Sequence, residues 1–381
     1  MDLTYFNIDN GYVEGILRGY RLNFLKDEDY AKIKSLTSLE ELWTFLQTEK
    51  GYPEMEGNEV TIQAIKNQMK LKLSKEIEYL EGNSMQDLYD FIQFIRVKYM
   101  LENVLMMIEG LKCGISSERL QASVDPLGDF KLLSAVELSN KLDSLYQTVL
   151  IDSPVGPYFY KYLEQKNMGN NDNKEGMKHF SDMQNYFKEE TPELVRSSLN
   201  RIWIETFYEH CSTKLNETSR VNMEDILKLE ADFQTIQVIY NSLDDSNEEK
   251  EANRNLLCPS LGNLYPLYFY KLKKCGNIED LKSVLKSFKL YSTVLQDIKE
   301  PSAMEGEGDK SLEDAMYREL AKAYSISFDE QSNMSNFYAY VMLKEQEIKN
   351  VVWMAEMISR NLDPNDIKWG KYVLPFDIPE N

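Results

Sequence analysis

The longest uninterrupted amphipathic pattern in the chain runs from Phe337 to Ile358. At 100° per residue, its apolar positions fall on one stripe of a helix. These positions are Phe337, Tyr340, Val341, Ile348, Val351, Val352, Ala355 and Ile358. No Gly or Pro interrupts the run, and Asn361 and Pro364 supply a stop signal just beyond it. The pattern predicts a core helix against which other helices pack.

Lys344 lies at the centre of that apolar stripe. An unpaired ammonium is costly to bury, so the position predicts one of two arrangements. Either Lys344 pairs with a carboxylate, Glu347 one turn on or an acid of another helix, or it snorkels along a groove between helices. Asn350 also lies in the stripe, and Trp353 follows it. We expect all four side chains to have packing roles.

Helical periodicity recurs along most of the chain. Long helical runs are predicted at residues 60–80, 85–109, 192–208 and 222–242. The charged segment 244–254 has no apolar face, and we interpret it as a solvated loop. With only 17 Gly and 11 Pro in 381 residues, the chain has few turn formers for a β-sandwich or barrel. The sequence therefore predicts an all-α fold.

Three glycines recur every four residues near the N-terminus, at Gly11, Gly15 and Gly19. On a helix they form a bare groove, at a cost of roughly 1 kcal/mol each relative to Ala. Close packing inside the protein is the favoured explanation, and a surface for a partner is the alternative. Glu14 and Arg18 form an i, i+4 pair in the favourable order on the same helix.

The formal charge of −20 excludes some function classes. Binding a phosphate backbone requires clustered Lys and Arg, so nucleic acid is not an expected partner. The same charge disfavours docking of the whole body on anionic lipid. The four cysteines form no C-x-x-C pair, which excludes a zinc or redox motif, and no apolar run reaches 18 residues. We expect a cytosolic chain without a membrane span.

Sequence motifs for catalysis are absent. The chain has only two histidines and no H-E-x-x-H, Walker A, G-x-G-x-x-G or G-x-S-x-G motif, so we expect no cofactor and no metal. One segment imitates a catalytic motif: Asp244, Asp245 and Glu248 resemble the magnesium-binding acids of all-α isoprenoid synthases. Because no apolar face accompanies them, a solvated loop is the favoured interpretation.

A weak internal repetition divides the chain into three helical units. Similar short helix starts occur at residues 38–42, 140–145 and 277–281. Each precedes a long helix that carries an acid or amide in an apolar stripe, around Asn103, Asp232 and Asn350. We predict units at residues 1–128, 129–255 and 256–381, with a polar insertion at 165–184 in the second.

Several motifs, in order and spread over essentially the whole chain, carry a resemblance to a known family. They are residues 5–15 (YFNIDNGYVEG), 125–130 (DPLGDF), 150–154 (LIDSP), 229–232 (LEAD), 262–266 (GNLYP), 311–314 (SLED), 337–339 (FYA), 343–347 (LKEQE) and 350–356 (NVVWMAE). The chain resembles the family of V-type proton ATPase d subunits and archaeal-type C subunits. It departs from the family pattern at Asp125, Phe233, Gln234 and Lys349, where the family has a histidine or arginines.

The resemblance implies a funnel-shaped, all-helical body that performs no catalysis. It implies a coupling role between the proteolipid c-ring and central-stalk subunits D and F, beside the large membrane subunit a. The expected location is peripheral, on the cytosolic face of vacuolar, endosomal or other acidified endomembranes. The alternatives are a magnesium-dependent isoprenoid synthase and a free-standing helical adaptor.

Overall fold

The structure is a computed structural model that describes residues 3–54, 60–130, 153–169, 191–243, 247–296, 298–299, 311–366, 369 and 373–376. All regular secondary structure in these ranges is helical, which confirms the predicted all-α class. In chain order the helices are α1 (Leu3–Arg21), α2 (Asp27–Ile33), α3 (Leu39–Lys50), α4 (Ile62–Gly82), α5 (Gln86–Lys112), α6 (Ser117–Gln121), a 3₁₀ turn (Pro126–Gly128), α7 (Gly156–Gly169), α8 (Pro192–Lys214), α9 (Glu217–Asn241), α10 (Asn247–Leu257), α11 (Phe269–Leu272), α12 (Ile278–Leu285), α13 (Lys289–Leu295), α14 (Leu312–Asp329) and α15 (Ser335–Ser359).

The helix predicted from the longest amphipathic pattern, α15, is the central element of the fold. It contacts α1, α3, α4, α5, α9 and α14. Every residue from Ser335 through Lys344 is buried. Other segments therefore pack on all sides of this half of the helix, whereas one apolar stripe would require packing on one side only. The prediction of a core helix is confirmed. The polar positions between the apolar ones are buried too, and they carry the networks described below.

The described residues form two hydrophobic cores. The larger is built from α1 to α5, α7, α8, the first half of α9, α14 and α15. The smaller runs from Phe233 on α9 through α12 and α13 to Met316 on α14. Helix α9 contributes to both cores, so it joins them mechanically. The division into units at 1–128, 129–255 and 256–381 stays a prediction.

The interpretation of residues 244–254 as a loop is wrong, because α10 spans most of that segment. The interpretation failed at Arg254, whose side chain is fully buried. The guanidinium donates to the carbonyl oxygens of Lys273 and Cys275, at 3.0 and 2.8 Å, and to Ser242 Oγ at 2.7 Å. A sequence pattern counts an arginine as polar and does not predict that four carbonyl oxygens and a hydroxyl will accept from its guanidinium in the interior.

Two predicted features lie wholly or mainly outside the described residues. The polar insertion at 165–184 is described only to residue 169, and the helix start at 140–145 is not described. Within the described ranges, no helix combines the length and the hydropathy that crossing a bilayer requires.

Candidate functional site

The predicted pair of Glu14 and Arg18 forms an ion pair at 2.8 Å on α1. The Glu14 carboxylate is buried and also accepts hydrogen bonds from Ser332 N and from Asn336 Nδ2, at 3.0 and 3.1 Å. Arg18 Nη2 donates to the carbonyl oxygen of Glu330. The pair therefore fastens α1 to the turn between α14 and α15, a contact over more than 300 residues of sequence.

The glycine ladder on the same helix is not covered by any other described segment. Gly15 and Gly19 are exposed, and a Cβ atom built on either would have no described neighbour within 4 Å. The nearest atom to such a Cβ on Gly11 is Asn7 Cβ of the same helix, 3.9 Å away. Among the described residues no second backbone lies against Gly15 or Gly19, so these contacts do not support close internal packing, which stays a prediction.

Lys344 and Glu347 form a buried ion pair, so the snorkelling alternative is excluded. Burial alone would lower the pKa of Lys344, but the attraction of Glu347 outweighs it and the pKa is raised. The second Glu347 oxygen accepts from the backbone N–H of Leu25 at 2.6 Å. The ammonium also lies 4.8 Å from the Phe24 ring centroid. The pair thus binds the segment after α1 to the central helix.

Three polar side chains in long helices each hold the backbone of a distant segment. Asn103 on α5 bonds to both the N–H and the C=O of Asp125, at 2.8 and 2.9 Å. Asn350 on α15 bonds to the N–H and the C=O of Leu374, at 3.0 and 2.9 Å. The third is Asp232 on α9. These are the three positions that the sequence repetition singled out, and each bond joins its helix to a later connecting segment.

Asp232 accepts four hydrogen bonds from the turn that follows α10 and from a tyrosine. Its donors are the N–H groups of Asn263 and Leu264, the Asn263 side chain, and Tyr291 OH, all between 2.5 and 3.1 Å. Burial nevertheless raises the pKa of Asp232, although all four bonds oppose that shift. Gly262 precedes the turn with φ of 110°, a conformation that favours glycine.

A cavity of about 730 Å³ lies between α5, α8, α9, α14 and α15 and is called here the five-helix cavity. Its lining combines aromatic, amide and charged side chains. They include Lys98, Trp203, Glu230, Phe233, Gln234, Gln237, Glu313, Asp314, Tyr317, Tyr324, Gln346, Lys349 and Trp353. Trp353 is 43% exposed, so this predicted packing residue presents its indole to the cavity.

The five-helix cavity is lined by both positive and negative side chains. Lys98, which lies 4.9 Å from the Trp203 ring centroid, and the exposed Lys349 form the positive group. On α9, Glu230 accepts hydrogen bonds from the hydroxyls of Tyr324 and Tyr338, both at 2.7 Å. Burial and the Glu230 charge raise the pKa of both tyrosines, which stay protonated donors.

Two polar atoms close to this cavity lack hydrogen-bond partners among the described residues: Tyr317 OH and Glu345 Oε1. Burial raises the pKa of Glu345, while Lys70 nearby opposes the shift. Burial and then Glu345 raise the pKa of Tyr317. Such a mixture of apolar surface and unused polar groups suits recognition of another polypeptide rather than bond-making chemistry.

The acids of the isoprenoid-synthase alternative do not form a described site. Asp244 and Asp245 lie outside the described residues, as does the side chain of Glu248 on α10. Across the ranges that are described, no three His, Cys, Asp or Glu side chains are grouped so as to hold a metal ion. Sequence reasoning had singled out four of the lining residues, Phe233, Gln234, Lys349 and Trp353, but it did not predict the cavity. The convergence of five helices leaves no local pattern.

Comparison with known proteins gives one consistent result. The family model "ATP synthase (C/AC39) subunit" matches residues 13–370. The V-type proton ATPase subunit d of Dictyostelium discoideum is 30% identical over 362 residues, which cover 94% of each chain. That of Saccharomyces cerevisiae is 29% identical over 364 residues, covering 95% of this chain and 96% of the relative. Subunit d1 of Arabidopsis thaliana is 26% identical over 358 residues, covering 93% and 94%. The chain therefore belongs to the ATP synthase (C/AC39) subunit family.

Proposed function

We propose that this chain is the non-catalytic d subunit of a V-type proton ATPase, which transmits torque between the central stalk and the proteolipid ring. Family membership and relatives named as V-type proton ATPase subunit d over nearly their whole length support the assignment. The proposed partners are the proteolipid c-ring, stalk subunits D and F, and the membrane subunit a. The proposed location is the cytosolic face of an acidified endomembrane.

The observation that carries the mechanical part of the proposal is the five-helix cavity. A torque coupler needs a socket whose walls do not yield, and here the walls are long helices packed on the buried helix α15. The foot of the stalk is the proposed occupant. Trp353 supplies an aromatic anchor, and aromatic anchors dominate the energetics of protein interfaces. Lys98 and Lys349 suit acidic groups on the inserted segment.

We further propose that the funnel is built from three related units. The support is the parallel between Asn103, Asp232 and Asn350, each of which holds backbone groups of a segment 22 to 32 residues further along the chain. Each bond closes a helix onto the connecting segment that follows it. Such closures resist shear between helices, which is the deformation that torque imposes on a coupler.

The exposed ladder of Gly11, Gly15 and Gly19 is proposed to contact another subunit of the pump. No described atom of the chain itself covers Gly15 or Gly19. The same helix face exposes the large apolar side chains Ile8 and Tyr12, and Leu22 just after the helix is exposed too. An apolar face with a bare groove admits a partner backbone at short distance, and the Glu14–Arg18 bridge holds this face rigidly on the body.

The socket proposal is tested with a double variant, Trp353→Ser with Lys349→Glu, expressed in cells that lack the native subunit. We expect the purified membrane sector to retain the variant and the proteolipid, but to lose stalk subunits D and F and ATP-driven proton pumping. Ile326→Ser, which changes an exposed apolar residue outside the cavity lining, is the matched control. Normal recovery of D and F with the double variant contradicts the proposal.

A further inference from the structure

The turn that Asp232 holds carries an exposed apolar tip. Leu267 is 79% exposed and Tyr270 is 66% exposed, and Tyr265 beside them is partly exposed. Large apolar side chains in a short contiguous segment are unusual on a soluble surface, and such patches mark interaction sites. Three hydrogen bonds from Asn263 and Leu264 to Asp232 fix the base of this segment, so its position does not depend on a partner.

Lysines surround the apolar tip. Lys271 and Lys274 are exposed, and in the described part of the chain neither has a carboxylate within 4.0 Å. Lys273 is paired with Glu251 at 2.9 Å and lies 5.2 Å from the Tyr270 ring centroid. Residues 265–274 contain three tyrosines and three lysines. They contain no acid and no arginine. This is a local positive surface on a chain of net charge −20.

A packed aromatic contact joins the segment to the start of α13. The rings of Tyr268 and Phe288 meet edge to face, with centroids 4.7 Å apart. Phe288 stands between the exposed lysines Lys286 and Lys289. Two further exposed lysines thus flank, along the sequence, a ring that packs on the segment. We call Tyr265, Leu267, Tyr270, Lys271 and Lys274 the tyrosine–lysine patch.

We propose that the tyrosine–lysine patch docks on the surface of an anionic phospholipid bilayer. Tyrosine favours the membrane interface, where its ring is buried and its hydroxyl stays hydrated, and lysine is attracted to anionic headgroups. Protein interfaces are enriched in tyrosine and arginine but depleted in lysine, and the patch combines its tyrosines with lysines and no arginine. The net charge opposes contact by the rest of the body, so docking through this patch has a defined orientation.

A local group of lysines can bind anionic lipid even though the net charge of the whole chain is negative. A charge of −20 disfavours anionic lipid as a partner of the whole surface, but surface charges more than about 8 to 10 Å apart are screened at physiological salt. A local group of lysines is therefore felt by headgroups in contact with it, whereas distant acids are not. The inference is independent of the socket proposal, because no residue of the patch lines the five-helix cavity.

The test is flotation of the purified full-length chain with vesicles of phosphatidylcholine alone and of phosphatidylcholine with phosphatidylserine. We expect the chain to float with the phosphatidylserine vesicles and to be released by salt. The variant Lys271→Gln/Lys274→Gln should bind roughly thirtyfold more weakly, because each lysine near an anionic surface contributes about a factor of five. Leu267→Ser/Tyr270→Ser should also weaken flotation, because it removes the inserted apolar groups.

The control variant is Lys322→Gln/Ile326→Ser, which changes an exposed lysine and an exposed apolar residue one turn apart on α14. The control variant should float like the unmodified chain. All variants should keep the melting temperature of the unmodified chain, because only exposed groups change. A chain that stays unbound with both vesicles overturns the proposal and favours an acidic polypeptide as the occupant. Patch variants that float as well as the unmodified chain overturn it too.

Discussion

A Cβ atom on Gly262 would lie 2.3 Å from Asp232 Oδ1, closer than any real side chain approaches. The φ of Gly262 is also positive, at 110°, so a substitution there meets both a collision and a strained backbone. Gly262→Ala should lower the free energy of unfolding by about 2–4 kcal/mol, from overpacking and strain together. Urea denaturation measures the change.

Gly82→Ala is the control for that experiment, since a Cβ there has no described neighbour within 4 Å. It should leave stability unchanged or raise it slightly. If Gly262→Ala is as stable as the unmodified chain, the turn at residues 262–264 is not held against Asp232 as the structure shows.

The buried ion pair predicts an asymmetric response to substitution. Lys344→Met leaves Glu347 charged, buried and without its ammonium, and should cost about 3–5 kcal/mol of unfolding free energy. Adding Glu347→Gln removes the stranded charge while keeping an acceptor for Leu25 N–H. The double variant should therefore be more stable than the single one. Equal stability of the two variants in chemical denaturation would contradict a charge-pairing role.

Substitution of an exposed glycine in the ladder should affect stability in the opposite way to substitution of a packed glycine. Gly15→Leu should leave the isolated chain folded, with stability unchanged or raised by about 0.5–1 kcal/mol, because leucine is the better helix former. In the assembled pump the same variant should reduce recovery of the chain with the membrane sector, because the groove is filled. Thermal unfolding and co-purification measure the two effects separately.

A buried glycine provides the contrast. A Cβ on Gly128 would lie 2.4 Å from the backbone carbon of Tyr99, so Gly128→Ala should destabilise the isolated chain by about 1–3 kcal/mol. Loss of fold in Gly15→Leu would show that α1 has an internal neighbour on its glycine face. Normal assembly of that variant would contradict the proposed contact with another subunit.

Glu345 predicts a stability that changes with pH. Burial raises its pKa above the ordinary 4.5, so the folded state holds a proton that the unfolded state releases. Its contribution to stability is present below pH 4.5 and is lost as pH rises through the folded pKa. Glu345→Gln removes this loss and should stabilise the chain by about 1 kcal/mol at pH 7, because the amide carries no charge whose burial is costly.

The control for Glu345 is Glu279→Gln, which changes an exposed carboxylate at the start of α12. Denaturation between pH 4 and pH 8 should show the stability difference between Glu345→Gln and the unmodified chain growing with pH, while Glu279→Gln shows no such trend. A difference that shrinks as pH rises would mean that the folded-state pKa of Glu345 is lowered.

The helical class and the central helix were predictable because they depend on local order. Apolar spacing between Phe337 and Ile358 determines one stripe, and a stripe of that length has to be buried. The ion pairs Glu14–Arg18 and Lys344–Glu347 lie three or four residues apart, so helical geometry alone brings their side chains together. The family resemblance came from short motifs that are equally local.

What only the tertiary structure decided involves groups distant in sequence. The sequence of the glycine ladder does not depend on whether a neighbour covers it, and no described residue covers Gly15 or Gly19. Arg254 is counted as polar by any sequence scale, yet buried carbonyls of two other segments surround it. Asn103, Asp232 and Asn350 stood out as polar residues in apolar stripes, but what they hold lies 22 to 32 residues away.

The physical reason is the range of the interactions. Sequence periodicity reports which side of a helix avoids water, because that preference belongs to each residue separately. A hydrogen bond or a cavity depends on where a second and a third segment arrive, and that depends on the packing of the whole body. The sequence by itself determined the helices and the family, whereas the five-helix cavity, the uncovered face of α1 and the tyrosine–lysine patch required the tertiary structure.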